Sequence, residues 1–190
     1  MNTNRTFHMG ATMNISDYHR IVIVGNNGSG KSYLARKLSQ ITGIPTIHLD
    51  CEFWLPNWEQ PTMAEWTEKQ IVLTSKEKWI IEGNHTSTME IRVQESDLII
   101  FIEVNRLTCL LSVLKRHGTK RRDIPEYLEE RLNLDYLRFL KGLITFPRDR
   151  RDKIIDLASK YPEKKLLIIK GRREMKRLLV LWERYVSIIH

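Results

Sequence analysis

Cysteine is scarce in this sequence, with only Cys51 and Cys109 among 190 residues. They lack metal-ligand spacing and have no His or Cys pattern around them, which excludes a disulfide framework and a thiolate zinc site. Both read as reduced, partly buried small hydrophobes. Long apolar runs are missing too. The longest, 98–102 and 166–169, fall far short of the roughly 20 residues that a membrane helix needs, and the N-terminus lacks the apolar core of a signal peptide. The expectation is a soluble, cytoplasmic protein with no membrane partner. Internal repeats and low-complexity tracts are also absent.

What is present is enough apolar material for one ordinary core: 42% of the residues are hydrophobic, in a chain of single-domain length. The formal charge of +8 is unevenly spread, because 20 Lys or Arg face only 10 Asp or Glu between positions 115 and 177. Such an excess serves either to converge cations on a polyphosphate or to attract nucleic acid. Charge alone does not choose between them.

Residues 1–19 are polar and aperiodic, and read as a mobile or docked extension outside the fold. From Arg20 onward, short β-branched runs alternate with helical stretches, the pattern of an α/β fold with a parallel sheet covered on both faces. Strands are predicted at 21–24, 46–49, 79–81, 98–103 and 166–169. Leu34, Leu38 and Ile41 recur at helical spacing, as do Met175, Leu178, Leu179 and Trp182. Thr62 with Glu65 forms a capping box that opens a helix at Met63. Two helices broken near Phe146 and Pro147 are expected between 125 and 160. The domain is therefore 20–190, with a basic lid near 116–125.

The run IVIVGNNGSGKS places G-x-x-x-x-G-K-[ST] between a strand and a helix. Glycines let successive N–H groups turn inward on phosphate oxygens, and the helix N-terminus adds its partial positive charge. Gly25, Asn26, Asn27, Gly28, Ser29, Gly30, Lys31, Ser32 and the adjacent Tyr33 are thus the candidate nucleotide contacts. Lys31 reaches the β- and γ-phosphates, and Ser32 offers a hydroxyl to Mg²⁺. The cofactors expected are ATP and Mg²⁺.

In sheets of this class ligands bind beyond the C-terminal strand ends. Asp50, Glu82 and Glu103 stand at such ends. Glu82 and Asp50 are the candidate metal-side carboxylates, and Asp50 is the candidate base for an acceptor hydroxyl. Glu103 reads as a solvated strand-end acid. A transferring phosphoryl group is stabilised by guanidinium groups in a dry site. Arg116 and Arg122, on a lid that closes over the nucleotide, and Arg148 and Arg150, after the break at Pro147, are the candidates in the basic half. For the acceptor, Trp54 and Trp58 form either a stacking wall or core plugs, and His85 and Arg92 flank the third strand end. The other histidines, His48 included, show no constellation and read as incidental.

The segments GNNGSGKSYLARKL, IHLD, FWLPNW, WIIEGNH and DLIIFIEV together resemble the DNA topology modulation proteins, over about residues 20–180. That family is similar to adenylate kinase within the nucleoside monophosphate kinase-like P-loop fold. The resemblance implies that Glu82 matches the acid of adenylate kinases at the third strand end. It also implies that Arg116 stacks on adenine and that the loop of Gly171, Arg172 and Arg173 cups the base. Asn84 and His85 replace the proline and arginine that adenylate kinases carry next, a departure that sets AMP aside as the expected acceptor. The leading expectation is a small kinase acting on a nucleotide-like or hydroxylated acceptor. The alternatives are a nucleotide-switched, DNA-binding regulator, or a kinase of nucleic-acid ends or a shikimate-like ring. The partners expected are ATP and an unidentified acceptor, with DNA as a further candidate, in a monomer or weak dimer.

Overall fold

The computed structural model describes residues 13–117, 125, 128, 134–144 and 148–189. Five parallel strands form one sheet: β1 (Arg20–Gly25), β2 (Thr46–His48), β3 (Trp79–Glu82), β4 (Leu98–Glu103) and β5 (Lys165–Lys170). Their order is β2-β3-β1-β4-β5, so β1 lies in the middle. All five predicted strands are present. The second stops one residue early, because Leu49 opens a short helix, α2 (Leu49–Phe53).

Alternation along the strands builds two cores. Ile21 and Ile23 of β1, with Leu98, Ile100 and Ile102 of β4, point to one face. That face is covered by α1 (Lys31–Thr42) through Leu34 and Leu38, and by α8 (Gly171–Ile189) through Met175, Leu179 and Trp182. Val22, Val24, Ile99 and Phe101 point the other way. They meet Trp66 and Leu73 of α3 (Met63–Thr74), Met89 and Val93 of α4 (Met89–Glu95), and a later helix, named below, through Ile154 and Ala158. Burial on both faces explains why the strands read as continuous apolar runs rather than as alternating ones.

Helix α5 (Arg106–Arg116) follows β4, then α6 (Leu134–Ile144) and α7 (Arg148–Ser159), the helix that carries Ile154 and Ala158. Two helices are thus present in this part of the chain, and the predicted break at Phe146 and Pro147 lies outside the described residues. The capping box at Thr62 is present: Glu65 N–H donates to Thr62 Oγ1 at 3.3 Å, and Thr62 N–H donates to Glu65 Oε2 at 2.8 Å.

Residues 13–19 of the expected extension dock on the fold. Ile15 is fully buried in the first core, and Trp182 Nε1 donates to the Met13 carbonyl at 3.1 Å. A lone isoleucine in a polar stretch carries no periodicity, so this docking left no pattern to read. Most of the expected lid, including Arg122, and residues 1–12 of the expected extension lie outside the described residues, as do the side chains of Arg148 and Arg150.

Candidate nucleotide and acceptor site

The loop after β1 lies at the C-terminal edge of the sheet, next to the N-terminus of α1. Its backbone is folded by local bonds: Ser29 N–H donates to the Asn26 carbonyl at 3.1 Å, and Leu34 N–H to the Gly30 carbonyl at 2.9 Å. Gly28 has φ +79°, and a Cβ there would stand 2.4 Å from the Cys109 carbonyl oxygen. The close approach of α5 to the loop therefore requires glycine at this position. Lys31 Nζ folds back on the Asn26 carbonyl at 3.2 Å and on Asn27 Oδ1 at 3.5 Å.

Lys31 is 9% exposed, so the loop lysine is buried, not a freely solvated side chain. Desolvation pushes its ammonium below the ordinary lysine range, and Glu82 and Asp50 work against that shift; the Arg116 charge adds to the lowering. Glu82, Asp50 and Arg116 thus each act electrostatically on Lys31. Two buried polar atoms of the loop, Asn26 Nδ2 and Ser29 Oγ, have no hydrogen-bond partner among the described residues. Orphan donors and a desolvated ammonium at a helix N-terminus fit a phosphate chain, whose oxygens only accept. Ser32 stands second in α1, and Tyr33 is 40% exposed on the same helix.

Two of the candidate acids, Glu82 at the end of β3 and Asp50, which lies in α2 rather than at the predicted strand end, are each paired with a histidine. His48 Nδ1 lies 2.7 Å from Glu82 Oε1, and His85 Nε2 lies 3.1 Å from Asp50 Oδ1. His48 is therefore part of the constellation, which corrects its reading as incidental. His48 and Glu82 are register partners on β2 and β3. Only strand pairing reveals that, because 34 residues separate them in the chain. Among the described residues no group of three or more His, Cys, Asp or Glu forms a metal cage. A Mg²⁺ ion that keeps its waters and arrives with phosphate oxygens needs only the Ser32 hydroxyl and the Glu82 or Asp50 carboxylate.

Beside the His85–Asp50 pair stands a chain of rings. Phe53 meets His85 at 4.5 Å between centroids, Trp66 at 4.9 Å and Trp54 at 5.0 Å, and Trp54 meets Trp58 at 5.3 Å. Trp66 is core, whereas Trp58 is 39% exposed and forms the outer end. Three non-glycine residues of this region hold positive φ: Asn57 at 60°, Trp58 at 62° and His85 at 31°. Such backbone strain gathers where the fold must present side chains.

Arg92 does not present its guanidinium to the cleft. It is fully buried on α4, its Nη1 donating to Gln70 Oε1 and its Nη2 to the Asn84 carbonyl, each at 2.7 Å. Burial pushes it down to about 9. Its periodic position on α4 aims it inward, which is why it braces the turn after β3. Arg172 lies beside the phosphate loop: its Nη2 donates to the Gly28 carbonyl at 2.7 Å and to Ser112 Oγ of α5 at 2.5 Å. Glu103 is paired with Arg151 Nε of α7 at 2.8 Å.

No family model and no curated sequence matches the chain. Solved structures do. A gluconokinase from Sinorhizobium meliloti 1021 superposes with a TM-score of 0.54 at 13% identity, covering 90% of this chain and 93% of its own. Shikimate kinase from Acinetobacter baumannii, solved with shikimate, gives 0.52 at 14% identity, with 94% and 97% covered. Shikimate kinase from Bacteroides thetaiotaomicron gives 0.50 at 15% identity, with 90% and 99% covered. The chain therefore has the fold of the small P-loop kinases, a five-stranded parallel sheet flanked by helices.

Proposed function

We propose that this protein is an ATP-dependent small-molecule kinase. The observation that carries the reading is the convergence of a phosphate-cradling loop, a desolvated Lys31 and two histidine-braced carboxylates at one edge of the sheet. Backbone N–H groups of 26–30 and the Lys31 ammonium hold the triphosphate and neutralise charge that builds on the transferring group. Ser32 and Glu82 would hold a Mg²⁺ ion, which would supply further charge neutralisation. Asp50, oriented by His85, receives the proton of an acceptor hydroxyl held against the Phe53, Trp54 and Trp58 rings. Arg116, whose charge reaches Lys31, adds to the neutralisation. The similarity to gluconokinase and shikimate kinases supports small hydroxylated acceptors as the first class to screen.

The test is ADP release from Mg²⁺–ATP across hydroxylated ring acids and sugars, nucleosides, nucleoside monophosphates and DNA ends. One acceptor that stimulates turnover supports the reading. No stimulation by any of them, with tight DNA binding instead, overturns it in favour of the nucleotide-switched regulator that the basic 115–177 segment favours. Binding of that kind persists without acceptor and weakens steeply with salt.

A further inference from the structure

Beyond Glu82 the two central strands part, and a side chain continues their pairing. The β1–β3 register ends at Ile23 and Glu82, and Gly83 N–H still donates to the Ile23 carbonyl at 3.1 Å. Two residues further along β1, at Gly25, no β3 backbone group is paired. The Asn84 carboxamide stands there instead: its Oδ1 accepts from Gly25 N–H at 3.2 Å and its Nδ2 donates to the Gly25 carbonyl at 2.9 Å. A primary amide carries the same donor and acceptor as a peptide group, and both are used.

Gly25 is the last residue before the phosphate loop, with φ +151°, and a Cβ there would meet the Ile102 carbonyl oxygen at 2.6 Å. The peptide planes on either side of it set the direction in which the loop amides leave the sheet. Asn84 itself is fixed from behind. Its carbonyl accepts from Arg92 Nη2 at 2.7 Å, while Arg92 Nη1 is held by Gln70 Oε1 of α3 at 2.7 Å. Arg92 has no ion-pair partner among the described residues, so its buried charge is spent on carbonyl and amide oxygens.

We propose that Asn84, braced by Arg92 and Gln70, is a positioning residue of the nucleotide site, clamping the Gly25 peptide so that the loop amides face the phosphates. This rests on the nucleotide-binding reading above but does not depend on which acceptor is used.

Asn84→Ala removes both bonds at a half-buried position, and Asn84→Asp keeps the acceptor but sets a carboxylate oxygen against the Gly25 carbonyl. Nucleotide binding by calorimetry with ADP, without acceptor, is the first readout. Amide hydrogen exchange at Gly25 is the second, and it needs no ligand. The expected result is ADP affinity about tenfold weaker in Asn84→Ala and weaker still in Asn84→Asp, following loss of hydrogen bonds worth about one tenfold step. Gly25 exchange accelerates in Asn84→Ala, which removes the acceptor of its N–H. Arg92→Lys, which keeps charge but loses the fork, gives the same direction with a smaller effect. Wild-type affinity in both Asn84 variants, with only a lower melting temperature, overturns the proposal and leaves the nucleotide site standing. Absence of ADP binding in the wild type overturns the nucleotide reading and the proposal together.

Discussion

Glu82 Oε1 lies 2.7 Å from His48 Nδ1 across the β2–β3 register, and both side chains are largely buried. The carboxylate thus has one face on the imidazole, and it acts on Lys31 strongly enough to oppose part of the lysine's desolvation. Glu82→Gln keeps the volume and removes the charge. If Glu82 serves the metal side of the site, affinity for Mg²⁺–ATP falls about tenfold or more, the size expected when a group that orients metal-bound water is lost. Affinity for metal-free nucleotide stays the same or rises. Calorimetry with and without Mg²⁺ separates the two, and an equal loss in both would show that Glu82 only shapes the strand end.

Lys31→Met tests the loop cation, and the buried position gives it a second, opposite signature. The folded-state pKa of Lys31 lies below the unfolded value. Below the folded pKa both states bind the proton and the burial penalty is fully present. As pH rises through the folded pKa toward the unfolded value, the unfolded chain binds more protons and stability increases. Methionine removes that penalty, so the nucleotide-free variant melts higher than wild type at neutral pH and loses the alkaline rise. Turnover drops by about a thousandfold, as when a transition-state charge partner is removed, and nucleotide no longer raises the melting temperature. A variant that melts lower than wild type without ligand contradicts this account.

Much of this arrangement is legible in the sequence because it follows local rules. The loop glycines, Lys31 and the strand-end position of Glu82 are fixed by a motif and by period, and the β-branched runs mark the sheet, whereas Asp50, read as a strand end, stands in α2. The pairings are not local. His48 reads as incidental until β2 is laid beside β3, and Asn84 becomes a clamp only because the strands diverge after Gly83. Arg92 reads as a cleft residue from its nearness to His85 in the chain, yet its place on α4 turns it into the core. Trp54, Trp58 and Trp66 look alike as letters, and only packing distinguishes the exposed ring from the buried one.

Gly28→Ala probes how tightly α5 closes on the loop. The new methyl would lie 2.4 Å from the Cys109 carbonyl oxygen, a backbone atom that cannot swing away, and φ +79° is already unfavourable for alanine. Either the loop or the start of α5 shifts. The expected cost is about 2–3 kcal/mol of stability, from strain plus overpacking, with nucleotide affinity falling below detection. Chemical denaturation and titration with ADP measure the two. Unchanged affinity in a stable Gly28→Ala protein means that the loop does not hold phosphate in this conformation.

Trp58 and Trp66 belong to one chain of rings but should answer substitution in opposite ways. Trp66 is 1% exposed, packed among β-sheet and helix side chains, and Trp66→Ala leaves a large cavity. The cost is about 3–5 kcal/mol, a loss that shows in stability before it shows in any binding constant. Trp58 is 39% exposed, touches Trp54 edge-on at 5.3 Å and is held at φ 62°, an unfavourable place for an indole. Little packing is lost on truncation, so Trp58→Ala changes stability by less than about 1 kcal/mol. If the outer rings form the acceptor wall, its acceptor KM rises about tenfold while nucleotide affinity is untouched, because stacking on one aromatic face is worth about 1 kcal/mol or slightly more. Steady-state kinetics with saturating ATP and thermal melts of both variants decide the matter. A Trp58→Ala protein with unchanged acceptor KM moves the acceptor away from this loop, toward the His85–Asp50 pair alone.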